Sequence, residues 1–149
     1  METLTRQVSR RLHEEHQASL ALWTRVEASL AAGQVDAGLM RTAAASLAEE
    51  IERHFAFEET ALFPRLAEGG EGDIAELLQE EHGTIRQAGE RFIALVKDDP
   101  ASPGLKPLGL ELAERLISHV QKEEMSMLPA LEDLLDEDTD GELALEYCS

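Results

Sequence analysis

Cysteine, tryptophan and tyrosine are nearly absent from this 149-residue chain, which has one residue of each type. The single cysteine, Cys148, excludes an internal disulfide and suits a reducing compartment. No run of about 18 apolar residues is present, so the sequence predicts no membrane span. The N-terminal residues also lack the apolar stretch of a signal peptide, and we therefore expect a cytoplasmic protein.

Positive charge is scarce as well: the chain has 13 Lys and Arg residues and 31 Asp and Glu residues, which gives a net charge of −18. Nucleic acids and anionic membranes need Lys and Arg to displace their counterions, so the sequence predicts neither as a partner. It also lacks a glycine-rich phosphate loop, a CxxC motif and a Ser/His/Asp arrangement. The length suffices for one domain with a substantial core.

The chain has only five histidines, and four of them occur in motifs that repeat. The order is Glu14-Glu15-His16, His54-x-x-x-Glu58, Glu80-Glu81-His82 and His119-x-x-x-Glu123. The spacing is 65 residues for the His-x-x-x-Glu motifs and for Pro64 and Pro129, and 66 residues for His16 and His82. Residues four apart share a helix face, so each His-x-x-x-Glu can direct two side chains to one point. Imidazole and carboxylate are the usual ligands of iron, zinc and manganese.

Helical apolar spacing covers four long segments, and strand alternation is nowhere sustained, which predicts an all-α protein. The predicted helices run from about Thr5 to Ala31, from an Asp36 N-cap to Gly69, from an Asp73 N-cap to Asp98, and from near Pro107 to Leu135. Short loops between them predict an up-down-up-down four-helix bundle. The repeated motifs predict an internal duplication of a helical hairpin. We assign residues 1–135 to the bundle and residues 136–149 to an acidic tail with little to bury, with a short helical piece around Glu142–Tyr147.

Six donors are available in these motifs: the imidazoles of His16, His54, His82 and His119 and the carboxylates of Glu58 and Glu123. One zinc site is closed by four ligands, so six donors are too many for it. Two metal ions, about 3.5–4 Å apart, use them naturally. Each ion would take two imidazoles and one oxygen from each bridging carboxylate, and an oxide or hydroxide bridge would add a fifth ligand.

Other residues near these motifs have less specific interpretations. His13 shares the face of His16 and could be an extra ligand or replace it, but its counterpart in the repeat is Gln79, which favours a boundary histidine. Four glutamates lie beside the candidate ligands in sequence: Glu15, Glu59, Glu81 and Glu124. We prefer to interpret them as solvated charges, and the alternative is that each orients a ligand histidine. We interpret Trp23 as core and expect a dry shell from Phe55, Phe57 and Phe63. Gly83 and Gly89 could serve close helix packing or access to the metals.

With these motifs the chain resembles the hemerythrin-like family, the His-His-Glu cation-binding domain, over about Leu12 to Leu131. The residues that carry the resemblance are Glu15-His16, His54-Phe55-x-x-Glu58-Glu59, Leu62-Phe63-Pro64, Glu81-His82, His119-x-x-x-Glu123-Glu124 and Leu128-Pro129. The resemblance implies a non-haem di-iron centre inside a four-helix bundle, with two iron ions and an oxo or hydroxo bridge. It also implies that His16 and His54 share one metal, while His82 and His119 share the other.

Departures from the oxygen carriers of that family refine the functional hypothesis. Arg86 stands where the carriers have a further histidine, and Glu124 stands where they have an aspartate. The site therefore resembles the four-His, two-Glu variant of bacterial iron-sulfur-repair and nitric-oxide-response relatives. This implies a di-iron protein that binds or reacts with O2, nitric oxide or peroxide, with di-iron redox activity and a role in stress response or iron-centre repair. The alternatives are a reversible oxygen or iron store or sensor without turnover, and a metal pair that only staples the bundle.

Overall fold

The computed structural model describes residues 3–148, and its regular secondary structure is entirely helical. The α-helices are α1 (Gln7–Ala31), α2 (Ala37–Glu49), α3 (Phe63–Glu68), α4 (Gly72–Asp98), α5 (Leu105–Lys122), α6 (Leu128–Leu134) and α7 (Glu137–Cys148). The predicted all-α class is thus confirmed for residues 3–148. Within the same range, no helix has both the length and the apolar character needed to cross a membrane.

The predicted helix starts are partly right. The Asp36 carboxylate accepts the backbone N–H of Leu39 at 3.1 Å, so the predicted N-cap of the second segment is confirmed. The Asp73 N-cap is wrong, because α4 begins at Gly72 and Asp73 lies inside its first turn, where a negative charge favours the helix dipole. Helix α5 begins at Leu105, slightly before Pro107. Pro107 is tolerated there because the N–H groups of the first turn have no partner within the helix, so the missing N–H of proline costs no helical hydrogen bond.

Three π-helical stretches interrupt the second and fourth segments, which the sequence predicted as regular helices. They are Glu50–Phe55 and Glu58–Leu62, between α2 and α3, and Glu123–Met127, between α5 and α6. Pro64 closely follows the second stretch and Pro129 the third, and a proline ring crowds the carbonyl one turn before it, which favours a widened turn at those two places. Such widened turns occur frequently at functional sites.

The helices pack into a bundle in which α1 contacts α5 and α2, while α4 contacts α5, α2 and α3. Two buried apolar clusters form the core. The first contains Trp23, Leu30, Leu47, Phe92 and Leu112, and the second contains Leu12, Leu62, Leu78, Leu131 and Tyr147, each with further members. The two lie on opposite sides of the histidine motifs along the helices, so the motifs form a polar layer between them. Trp23 is fully buried with its ring edge against Phe92, which confirms its interpretation as core.

Close packing explains one of the two glycines, Gly83 and Gly89, that the sequence left open between close helix packing and access to the metals. A Cβ atom at Gly89 would lie 3.0 Å from Cδ2 of Leu47 and 3.3 Å from Cδ1 of Ile51, so glycine lets α4 approach the second helical segment. A Cβ atom at Gly83 would meet nothing within 4 Å, and no contact in the structure explains that glycine.

The C-terminal residues bury more than the sequence predicted. Leu143 and Tyr147 of α7 are 4% and 6% exposed and belong to the second apolar cluster. The buried Asp140 carboxylate accepts the backbone N–H groups of Gln7 and Val8 at 2.8 and 3.0 Å. The expectation of a tail with little to bury is therefore wrong. The N-cap residue of α1 supplies no side-chain cap, and α7 provides that cap from a distance in sequence.

Candidate metal centre

The structure brings all six predicted donors together in the polar layer. His16, Glu58 and His82 are fully buried, and His54, His119 and Glu123 are at most 2% exposed. The donors form two groups of four, and within each group the ligand atoms lie within 4.8 Å of one another. The first group is His16, His54, Glu58 and Glu123, and the second is His82, His119, Glu58 and Glu123. The two groups therefore share both carboxylates.

Each shared carboxylate directs one oxygen to each group. Glu58 Oε2 lies 3.1 Å from His54 Nε2, and Glu58 Oε1 lies 3.1 Å from His82 Nε2. Glu123 Oε1 lies 2.9 Å from His16 Nε2, and Glu123 Oε2 lies 3.1 Å from His119 Nε2. All four Nε2 atoms thus point inward, and each glutamate lies between a histidine of one group and a histidine of the other. This is the arrangement that two carboxylates bridging two cations require.

On their outer side, the four imidazoles each contact a different glutamate through Nδ1. The Nδ1–O distances are 2.6 Å for His16 to Glu124, 3.0 Å for His54 to Glu15, 2.8 Å for His82 to Glu59 and 2.8 Å for His119 to Glu81. The preferred interpretation of these glutamates as solvated charge is therefore wrong. An ionised carboxylate only accepts hydrogen bonds, so each one fixes the Nδ1 proton and turns the Nε2 lone pair inward.

The outer glutamates connect the helices in a closed circle. Glu15 on α1 reaches His54, and Glu59, on the same segment as His54, reaches His82 on α4. Glu81 on α4 reaches His119, and Glu124, next to the inner Glu123, reaches His16 on α1. Each helical segment therefore both supplies a histidine and orients the histidine of another segment. Neighbouring positions on a helix point about 100° apart, which lets one residue face the centre and the next reach across.

A third layer holds the outer glutamates. Arg86 binds both oxygens of Glu59, at 2.5 and 2.7 Å, and Lys122 pairs with Glu81. His13 contacts Glu124, and the Tyr147 hydroxyl donates to Glu15, which also accepts from Arg11 Nε at 3.0 Å. His13 and Arg86 thus lie behind the donor groups and belong to neither. This agrees with the preferred boundary interpretation of His13.

Aromatic rings cover the second donor group. The Phe55 ring stacks on His82 with centroids 3.8 Å apart, and the Phe63 ring lies 5.1 Å from the same imidazole. Phe57 packs instead against Tyr147 at 4.4 Å. Phe55 and Phe63 of the predicted shell therefore contact a donor directly. Phe57 contacts Tyr147, whose ring lies beside the donor His54.

The electrostatics of the layer favour positive charge. Burial alone would lower the pKa of His16, but the hydrogen bonds to Glu123 and Glu124 outweigh it and raise the pKa to about 9. For His119, the charge of Glu123 likewise outweighs burial and raises the pKa to about 10. Burial would raise the pKa of Glu123, yet its histidine neighbours hold it well below the usual value. Without a metal, protons on the imidazoles occupy the positions that a cation would take.

Several buried polar atoms have no hydrogen-bond partner among the described residues: Glu58 Oε1, Glu123 Oε2, His82 Nε2 and His119 Nε2. They face one another at 3.1 Å without hydrogen-bond geometry. An unsatisfied buried polar group costs about 1–3 kcal/mol, and positive charge between these atoms, as protons on the imidazoles or as a metal ion, would satisfy all four. Imidazole nitrogens and carboxylate oxygens suit iron. The residues present therefore fit a metal site, and the layer is a candidate metal centre.

Two residues beside the centre were not singled out from the sequence as neighbours of the site. Glu50 lies one helical turn before His54, and its Oε2 accepts the Ser19 hydroxyl at 3.4 Å. Tyr147 approaches His54 with ring centroids 6.3 Å apart. The spacing Glu50-x-x-x-His54-x-x-x-Glu58 was a usable signal for Glu50, since all three share one helix face. No local pattern marks Tyr147, because α7 reaches the site only through tertiary packing.

Comparison with known families agrees with the geometry. The family model for the hemerythrin HHE cation-binding domain matches residues 7–139, a range that contains all six donors and their four outer glutamates. Searches of the curated proteins and of the solved structures gave no match. Because the family model spans most of the chain, the chain belongs to the hemerythrin HHE cation-binding domain family.

Proposed function

We propose that this chain is a non-haem di-iron protein that reacts with O2, nitric oxide or peroxide, in the cytoplasm, as part of stress response or iron-centre repair. The observation that carries the proposal is the pair of donor groups that share Glu58 and Glu123. Two overlapping groups provide for two cations, whereas a single structural site would need only one group. The hemerythrin HHE family supports iron as the metal.

In this proposal the donors divide as the two groups do. His16 and His54 would hold one iron, His82 and His119 would hold the other, and Glu58 and Glu123 would be shared by the two. When bound, the irons would supply the electrons for the reduction of a small ligand. The four outer glutamates keep each Nε2 directed inward, so that the donor geometry exists before a metal binds.

The third layer favours redox turnover over reversible oxygen or iron binding. The Arg86 guanidinium is held by both oxygens of Glu59, and it carries no free lone pair that could bind a metal. His13 contacts Glu124 and lies outside both donor groups. Neither residue therefore adds a nitrogen donor to the two groups, so the centre would keep room for a small ligand.

We further propose that the bundle is an up-down-up-down arrangement of two duplicated helical hairpins, over residues 1–135, followed by the C-terminal segment 136–149. The circle of outer contacts supports the duplication. The pair Glu15–His54 recurs as Glu81–His119, and the pair Glu59–His82 recurs as Glu124–His16 in the same sequence register. Residues 1, 2 and 149 lie outside the described residues.

Metal analysis and optical spectra test the proposed function. We expect about two iron atoms per fully loaded chain, and a spectrum that differs under nitrogen, air and nitric oxide. One metal per chain at full loading contradicts the di-iron assignment. If the chain binds two irons and its optical spectrum is the same under all three gases, the metal pair only stabilises the bundle.

A further inference from the structure

Two surface grooves lie at corresponding places in the two halves of the chain. The first, which we call the α1–α2 groove, has a volume of about 520 Å³ and is lined in part by Glu15, Ser46, Glu50 and His54. The second, the α4–α5 groove, has a volume of about 420 Å³ and is lined in part by Glu81, Glu111 and Arg115. Glu111 and Arg115 follow Ser46 and Glu50 by 65 residues, so the two grooves have matching walls with different side chains.

The two grooves differ in how far they reach. The α1–α2 groove is lined by His54, a member of the first donor group, whereas none of the six donors lines the α4–α5 groove. In the α4–α5 groove, the buried Ile85 occupies the place that Ser19 has in the other, and Lys122 pairs with Glu81 at its wall. The floor of the α1–α2 groove therefore includes the polar side chains of Ser19 and Glu50 where it approaches the donors, whereas the floor of the α4–α5 groove includes the apolar Ile85.

Glu50 and Ser19 form the inner part of that floor. Glu50 lies one turn before His54 and Ser19 lies three residues after His16, so both share the helix faces that carry the first donor group. Ser19 is 7% exposed, and its hydroxyl donates to Glu50 at 3.4 Å. Burial raises the pKa of Glu50. The counterpart Arg115 instead contacts Glu111 at the surface, at 3.3 Å, so the inward carboxyl exists in one half only.

We propose that small ligands of two or three heavy atoms reach the metal centre through the α1–α2 groove, pass Ser19 and Glu50, and bind on the His16/His54 side with the Glu50 carboxyl beside them. The proposal rests on the proposed function. It makes the two halves of the centre inequivalent: the His16/His54 half receives the ligand, while the His82/His119 half is covered by Phe55 and Phe63. Glu50 acts as a positioning residue that contributes charge and hydrogen bonding at the bound ligand.

Azide binding to the iron-loaded protein tests the route, with one bulky substitution in each groove. Ser46→Trp fills the α1–α2 groove, and the matched control Glu111→Trp fills the corresponding place in the other. By stopped-flow absorbance, we expect Ser46→Trp to slow azide association at least tenfold and Glu111→Trp to change it less than twofold. Iron content and circular dichroism establish that each variant is folded and loaded, and Thr42→Trp, in the same groove, replaces Ser46→Trp if that variant does not fold.

A charge substitution tests the position of Glu50 itself. Glu50→Gln replaces the carboxyl beside the ligand with an amide, so we expect the affinity for azide to change several-fold at pH 8. Binding of neutral nitric oxide should change less than twofold. The control Glu52→Gln alters an exposed carboxylate two residues away that does not line the groove, and it should leave both affinities unchanged.

The outcomes separate the two proposals. If the protein binds two irons and azide but Ser46→Trp and Glu111→Trp act alike, the access route is wrong and the proposed function stands. If Glu50→Gln leaves azide affinity unchanged, Glu50 does not lie beside the ligand. If the chain retains no iron, the proposed function fails, and the access route fails with it.

Discussion

At the residue scale, Glu58 and Glu15 both contact His54, but from opposite sides of its ring. Glu58 faces Nε2 and reaches a second histidine, whereas Glu15 contacts only the outer Nδ1. We expect Glu58→Ala to abolish retention of about two irons per chain, because it removes a ligand to both ions and a buried charge between them. Glu15→Ala should weaken metal binding by roughly 10- to 100-fold, as loss of a hydrogen-bond partner behind a ligand does.

Iron content after dialysis against a graded chelator series measures both effects. Glu14→Ala, a substitution of the exposed neighbour of Glu15, is the control and should behave as the unaltered protein. Equal iron loss from Glu58→Ala and Glu15→Ala would count against the bridging role of Glu58.

The positions of the six donors could be predicted from the sequence, whereas those of the outer glutamates could not. The 65-residue register and the His-x-x-x-Glu spacing require only that each segment is helical. The contact of Glu124 with His16, by contrast, depends on the relative height and rotation of two helices that are distant in sequence. A glutamate beside a ligand is compatible with solvent or with a neighbouring helix, and only tertiary packing decides between them.

At the element scale, α7 is joined to α1 at both ends. Asp140 accepts two backbone N–H groups at the start of α1, and Tyr147 reaches Glu15 in its third turn. We expect Asp140→Ala to lower the free energy of unfolding by about 1–2 kcal/mol, because it leaves N–H groups of the first turn without an acceptor. Urea unfolding of the metal-free protein measures this without a contribution from metal binding.

The matched control is Asp138→Ala, which removes an exposed carboxylate from the same helix. It should change the free energy of unfolding by less than about 0.5 kcal/mol, as is usual for surface positions. If both variants unfold at the same urea concentration as the unaltered protein, the contact between α7 and α1 does not contribute to stability.

Apolar periodicity was sufficient to predict where the long helical segments lie, but it did not predict their interruptions. A widened turn changes the hydrogen-bond partner of a backbone carbonyl, but it changes the spacing of apolar residues too little to be recognised in the sequence. The prolines at positions 64 and 129 were a signal for the second and third interruptions, since each falls inside a predicted helix. The burial of helix α7 was underestimated for another reason. Its few apolar residues are enough to hold it against the bundle, because they fill one end of an apolar cluster that other helices form.

At the scale of the whole molecule, the polar layer makes the stability of the metal-free protein depend on pH. The pKa values of His16 and His119 are about 9 and 10 in the fold, above the value of about 6.5 for an unfolded histidine. Between those limits the folded state binds more protons than the unfolded state, so stability falls as pH rises. The contribution is fully present below about pH 6.5 and is lost through pH 9 to 10.

Urea unfolding of the metal-free protein at pH 6, 7, 8, 9 and 10 measures this dependence. We expect the free energy of unfolding to decrease across the series. The iron-loaded protein is the comparison, and it should show no such decrease, because a metal-bound imidazole has already released its Nε2 proton. A metal-free protein whose stability stays constant or rises over this range would show that the imidazoles are not protonated in the fold.

The surroundings of the two donor groups also lead to a prediction about turnover in the proposed di-iron centre. Arg86 is fixed by Glu59, and His13 lies against Glu124, so neither supplies the third imidazole that would block one iron. With no further nitrogen donor, the centre would keep room for a small ligand beside the irons, which favours complete oxidation over release of the ligand unchanged. We expect the reduced, iron-loaded protein to oxidise on mixing with air and to stay oxidised after degassing.

Stopped-flow absorbance followed by degassing measures that outcome. His13→Gln, which introduces the residue found at the repeat counterpart Gln79, is the matched variant. It should keep two irons and oxidise at a rate within about threefold of the unaltered protein, since His13 lies outside both donor groups. Recovery of the reduced spectrum on degassing would contradict turnover. Loss of one iron or a large rate change in His13→Gln would instead show that His13 moves inward and acts as a ligand in the unaltered protein. That extra imidazole would make the centre similar to that of the oxygen carriers, and reversible oxygen binding would then have a physical basis.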